Sequence, residues 1–235
     1  MSAFGGFARI SIAALAGLAA VTAAHAAPMP LGPAAEPPPG LLAFCRDRPA
    51  ECGADPQDVR RRVAALEAAD NWSARFHAAD APRAIDAPAQ GLAMTAELWT
   101  LANRINRSVN HAIRSRADSE VYGVADRWAT PLEDGVRAGD CEDFVLEKRR
   151  ALLAAGFPAQ ALDMALVVTR RGESHAVLLL NTSLGEYALD NLTPWIVPWR
   201  DAPYEWTRRE VGGDMLRWAA IDRRGDPAVR LASRE

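Results

Sequence analysis

Apolar residues at Met94, Leu98, Leu101, Ile105, Val109 and Ile113 advance by three or four positions, the repeat of one face of an α-helix. Asn103, Asn106, Arg107, Asn110 and His111 fall mostly off that stripe, and the spacing predicts a helix over 92–115. A second helix is predicted over 56–69, where Asp55 is a capping residue, Pro56 suits the first helical position, and Val59, Val63 and Leu66 recur at helical spacing. Between the two, residues 70–90 hold Trp72 and Phe76 but also Pro82 and Pro88, and read as an irregular connection. A third helix opens at Cys141, with Phe144, Val145, Leu152 and Leu153 on its apolar side and Gly156 and Pro158 at its end. Beyond it the pattern changes. Strand-like runs occupy 164–169, 174–180, 186–190, 195–199, 204–207 and 215–220, with turns at 170–173 and 181–185 and Pro198 marking an edge. Four of the seven tryptophans lie in 195–218, as packing on a sheet or the wall of a groove. Helices first and an antiparallel sheet afterwards predict an α+β fold.

The N-terminus reads differently. Arg9 precedes an apolar run over 10–21, and Ala24-His25-Ala26 follows, the pattern of a secretory signal peptide (1–26) cleaved after Ala26. The run is shorter than the roughly 20 residues a membrane span needs, and no second long apolar segment follows, so no span is expected after cleavage. Residues 27–40, rich in Pro, Ala and Gly, are expected to be a flexible segment, and 41–235 a single domain. The expected location is periplasmic or secreted. A net charge of −3 gives no sign of a nucleic-acid partner. In an oxidising compartment Cys45 and Cys52 would close a short loop as a disulfide; the alternatives are that both stay reduced or that one pairs with Cys141. With 45 and 52 paired, Cys141 is the odd thiol.

Cys141 sits where chemistry is plausible. In Gly139-Asp140-Cys141-Glu142-Asp143-Phe144, Asp140 is a capping residue, and Glu142 and Asp143 put acid in the first turn. Backbone N–H groups at a helix N-terminus favour a thiolate. A lone cysteine is otherwise just core packing. Two later residues alter that balance. His175 lies in the run Ser174-His175-Ala176-Val177, and Asp190 ends the next run after the turn, so a hairpin would bring imidazole and carboxylate together. Thiol, imidazole and carboxylate make a nucleophilic triad. His77 and His111 have no such partners and read as surface or hydrogen-bonded residues.

Trp128 with Pro131-Leu132-Glu133, the Gly139-to-Phe144 motif, Ser174-His175-Ala176-Val177 and Leu189-Asp190-Asn191-Leu192 together resemble the bacterial transglutaminase-like cysteine proteinases, over roughly residues 40–210. The resemblance implies a papain-like core of the transglutaminase type, with the catalytic cysteine at a helix N-terminus. It makes Cys141 the nucleophile, His175 the general base and then acid, and Asp190 the residue that orients the imidazole. The backbone N–H of Cys141 would form an oxyanion hole, with Trp128 completing it. No cofactor is required for that chemistry. In the LapG-type periplasmic branch calcium binds near the cysteine through flanking acids, here Asp140 and Glu142; the two serve equally well as helix N-terminal acids. Members of that branch cut a surface adhesin and are held by an inner-membrane receptor. The Cys45/Cys52 pair and the Pro-rich segment are not part of that branch's pattern. The function implied is an exported cysteine peptidase acting on a protein through an acyl-enzyme. The alternatives are a transglutaminase or amidase using the same triad, and a secreted binding domain without turnover.

Overall fold

A computed structural model describes residues 28–76 and 91–222; the expected signal peptide and His77 lie outside the described residues. The strand-like runs become β4 (Leu162–Val168), β5 (Ser174–Thr182), β6 (Gly185–Leu189), β7 (Ile196–Pro198), β8 (Glu205–Val211) and β9 (Asp214–Ile221), and with β1 (Leu31–Ala35), which no run predicts, they form one seven-stranded sheet. Its order is β1-β9-β8-β4-β5-β6-β7, and neighbours are antiparallel throughout. The α-helices among the described residues are α1 (Pro39–Asp47), α2 (Pro49–Cys52), α3 (Pro56–Phe76), α4 (Ala96–Ala112), α5 (Asp118–Val121) and α6 (Cys141–Ala154). The result is the α+β architecture expected.

Side chains alternate across a strand, and here both faces of the central strands are covered. Met164, Ala176, Leu178, Leu180 and Leu189 point to the side where Val145, Leu146 and Leu152 of α6 pack. Ala165, Val167, Val177, Leu179 and Ala188 point to the other, beneath Met29, Trp199 and Trp206. That is why these runs read as continuously apolar. In the β5–β6 hairpin Thr182 pairs with Gly185 and Leu178 with Leu189. Asp190 therefore emerges one residue past the end of β6, beside the stretch of β5 that begins with His175.

Three expectations change. Within the expected flexible segment 27–40, the described residues 28–40 do not form a free arm. Leu31 pairs with Ile221 and Ala35 with Trp218, Met29 is 1% exposed, and its N–H donates to Glu186 Oε2 at 2.6 Å. Prolines are tolerated there because β1 is an edge strand with a register shift between Leu31 and Ala34. Helix α3 runs on to Phe76, into what composition suggested was an irregular connection. Helix α4 starts later than its stripe, capped by Thr95 Oγ1 accepting from Leu98 N–H; Leu92 instead exchanges backbone bonds with Asn181 and Ser183. A disulfide joins Cys45 of α1 to Cys52 of α2, as expected. No helix among the described residues is long and apolar enough to cross a membrane.

Candidate active site

Helix α6 is reached through a short parallel pair, β2 (Arg114–Ser115) with β3 (Ala138–Gly139). Gly139 is required there: a Cβ on it would lie 2.1 Å from Asp143 Oδ2. The loop before β3 is bound to the helix by carboxylates. Glu147 Oε1 accepts from the N–H groups of Leu132 and Glu133 at 2.6 and 3.1 Å, and Asp143 Oδ1 accepts from Ala129 N–H at 2.7 Å. One residue earlier on the other side, Arg127 N–H donates to Asp118 Oδ2. Trp128 is thus fixed between two tied peptide groups, and it is buried.

Cys141, half-buried, starts α6. Its thiol donates to Glu142 Oε2 at 3.1 Å, and the backbone N–H of Ala176 points at the sulfur. His175 is the neighbour of Ala176. Its Nε2 pairs with Asp190 Oδ1 at 2.9 Å, both groups being buried. The structure therefore joins His175 and Asp190 directly and sets Cys141 against the same strand. Cys141, His175 and Trp128 line one cleft of about 490 Å³, with Pro38, Pro39, Asp126 and Arg208 on its other walls.

Asp190 is the best-held group in the site. Burial opposes its charge, but hydrogen bonds from His175, Tyr204 and the Leu192 N–H keep its carboxyl below the ordinary range. Asn110 of α4 donates to the backbone carbonyls of Asp190 and Thr193, and Asn106 to that of Pro194, so α4 fixes the loop after β6. Tyr204, whose ring lies 5.5 Å from the His175 ring at a tilt, had no sequence signal: it sits in a loop at no recognisable spacing from the triad residues. The asparagines of α4 were visible only as polar positions off a stripe.

The thiol is less activated than its position suggests. Burial pushes its pKa up first, and the Glu142 carboxylate adds to this, overriding the helix N-terminus. Asp140 occupies the N-cap position, but its side chain makes no cap hydrogen bond. The acids instead gather. Ligand atoms of Asp118, Asp140 and Asp143 lie within 4.8 Å of one another, as do those of Asp118, Asp126 and Glu142. Burial raises the carboxyl of Asp118 to about 6, of Asp140 to about 8 and of Asp143 to about 9, with neighbouring acids contributing. Asp118 Oδ1, Asp140 Oδ1 and Asp143 Oδ2 are buried with no hydrogen-bond partner. Oxygens crowded together and unmet by donors fit a hard cation. Asp118, Asp126 and Asp143 were missed as members of this cluster: Asp143 reads as a first-turn acid, and Asp118 and Asp126 come from a stretch without periodicity.

The sequence matches the model of a family described as bacterial transglutaminase-like cysteine proteinase BTLCP over residues 77–226. No curated protein matches. Among solved structures, calcium-bound LapG of Legionella pneumophila is 23% identical with a TM-score of 0.43, covering 48% of this chain and 65% of that one. A second LapG structure from that organism is 22% identical with a TM-score of 0.42, covering 48% and 63%. An EGTA-treated one is 17% identical with a TM-score of 0.43, covering 74% and 82%. The chain thus spans just under two-thirds of the length of the first two.

Proposed function

The chain belongs to the bacterial transglutaminase-like cysteine proteinases, and we propose from its cleft that it cuts a protein substrate with Cys141 as nucleophile, His175 as proton carrier and Asp190 as the group that orients His175. What supports this most is the buried His175–Asp190 pair in the cleft that also holds Cys141. Because Nε2 of His175 is taken by Asp190, Nδ1 is the nitrogen that receives the thiol proton. The sulfur then bonds to the substrate carbonyl carbon. The developing oxyanion is met by the Cys141 backbone N–H and the Trp128 indole N–H. His175 returns the proton to the leaving amine as the C–N bond breaks. Water, deprotonated by His175, releases the acyl group as a carboxylate and regenerates the thiol.

The acidic cluster is read as a calcium site, with Asp118, Asp126, Asp140, Glu142 and Asp143 supplying oxygens. Calcium bound there would cancel the carboxylate charge that now opposes a thiolate at Cys141. Asp140 and Glu142 are then ligands rather than caps. The Cys45–Cys52 disulfide supports a location outside the cytoplasm, the periplasm by this reading.

The test is the rate of Cys141 alkylation by iodoacetamide against pH, with calcium or EGTA, alongside β-casein cleavage. Fast alkylation at pH below the ~8.5 of a free thiol, slowed by His175→Ala and by EGTA, is the expected result. Cleavage should fall at least about a thousandfold in a folded Cys141→Ala protein. Cleavage that survives that substitution overturns the mechanism.

A further inference from the structure

Arg208, the central residue of β8, is the cationic side chain of a cleft that also holds the acids Asp126, Asp140 and Glu142. It is half-buried. Its Nη1 donates to the backbone carbonyl of Glu36 at 2.8 Å, a neutral acceptor. Among the described residues no carboxylate forms an ion pair with it. The charge it feels is that of Glu36, which is exposed, and burial leaves its pKa below the ordinary guanidinium value. Arg208 also borders a second hollow, of about 560 Å³, but Glu67 there is held by Arg46 at 2.9 Å. A guanidinium carries five donors in a rigid fork suited to a carboxylate. Here it is partly desolvated, and it meets one carbonyl.

The strap at residues 36–40 holds it in that position. The strap leaves β1, which is paired into the sheet. It ends at Gly40, where a Cβ would fall 2.4 Å from Trp128 Cδ1 and 2.6 Å from Asp126 Oδ2. Pro38 and Pro39 face the cleft and have no N–H to compete for a ligand anion. This wall lies outside the span matched by the family, residues 77–226.

We propose that Arg208 is the carboxylate-binding residue of the cleft, selecting peptides that present an acidic side chain or a free C-terminal carboxylate on the side of the strap. The proposal rests on Cys141 being the nucleophile of the same cleft. Asp126, Asp140 and Glu142, which line the same cleft, repel an anionic group and leave Arg208 as the position for it.

The experiment measures binding with turnover removed. Full-length Cys141→Ala protein is probed with a fluorescent peptide array in which Glu or Gln is fixed at each position, each peptide with a free or an amidated C-terminus. Peptides with Glu at one position, or with a free C-terminus, should bind about ten-fold more tightly than their neutral twins. Adding Arg208→Gln should erase that gap, and Arg208→Lys should restore part of it without the bidentate geometry. A gap that follows Glu names a side-chain carboxylate, and one that follows the free C-terminus names a chain end. The absence of any gap, or one that survives Arg208→Gln in a protein with a cooperative unfolding transition, overturns the proposal. Failure of the nucleophile assignment shows separately, as cleavage that persists in Cys141→Ala.

Discussion

Two places among the described residues bury several acids together, and they are resolved in opposite ways. Under β4, β6 and β8, Arg209 donates to Glu186 and Asp163 at 2.5 Å each. Asn181, the Gly213 N–H and the Met29 N–H complete the coordination of the same two carboxylates. Nearby, Glu210 accepts from the Met164 N–H and sits 3.5 Å from Arg149, a distance long enough that burial still lifts its carboxyl to about 8. At the head of α6 no guanidinium among the described residues forms an ion pair with Asp118, Asp140 or Asp143, and the charge of Arg127 acts on Asp118 only from a distance. Asp118, Asp140 and Asp143 each keep a buried oxygen without a partner, and their carboxyls rise together. Acid burial as such therefore marks nothing functional. What sets the second group apart is several acid oxygens crowded together without donors, each leaving desolvation uncompensated unless a ligand answers it.

The difference breaks most visibly at Arg209. Arg209→Met removes the cation from the closed group and strands Asp163 and Glu186, which are held by it in the interior. The expected loss is about 3–5 kcal/mol of stability in urea denaturation. A loss within about 0.5 kcal/mol, the range of an ordinary surface change, would mean that the network is not what holds the sheet's far side.

The open group should respond in the reverse sense. Asp143→Asn keeps an acceptor for the Ala129 N–H and removes a carboxyl that must ionise to hold calcium. Without calcium the variant should be at least as stable as the parent, since burial and the neighbouring acids already oppose the ionised form of the carboxyl it loses. With calcium at a hundred times its dissociation constant the parent should gain about 2.7 kcal/mol, and the variant much less. Thermal unfolding in calcium and in EGTA reads both. A parent that gains nothing from calcium removes the metal reading and returns these acids to the helix N-terminus.

The contrast also explains what was legible beforehand. Helix α6, the β5–β6 hairpin and the pairing of His175 with Asp190 follow from local periodicity, a glycine-containing turn and short-range spacing, and the sequence carries all of these. The cluster does not follow. Asp118 and Asp126 reach Asp140 and Asp143 through the loop between α5 and β3, whose path depends on backbone bonds to Asp118, Asp143 and Glu147. Such contacts are made by tertiary packing and leave no repeat. The Pro-rich segment 27–40 hides its strand for a related reason. Proline-rich composition argues against a central strand, and β1 is an edge strand whose partner lies at the other end of the chain.

Lys148 carries the contrast to the opposite sign of charge. It lies on α6 two turns past Cys141, it is 0% exposed, and its Nζ has no hydrogen-bond partner. Burial depresses its pKa to about 7, and the field of Asp190 offsets this only in part. The sign of the linkage follows. Unfolded, the amine has its ordinary value of 10.5, so between that pH and about 7 the unfolded chain binds a proton that the folded chain refuses. Stability contributed at this position is greatest above that window, falls as pH drops through it, and is constant below. Lys148→Met removes the group and keeps the length of the stem. It should raise stability at pH 7 by roughly 1–2 kcal/mol, the lower part of the range for replacing buried charge with apolar packing, and flatten the slope between pH 7 and 10. Urea midpoints of both proteins at pH 7 and 9.5 test this. A variant less stable than the parent at pH 7 would mean that the ammonium is charged and favourably held against Asp190, and that the middle of α6 contains a closed pair rather than an open one.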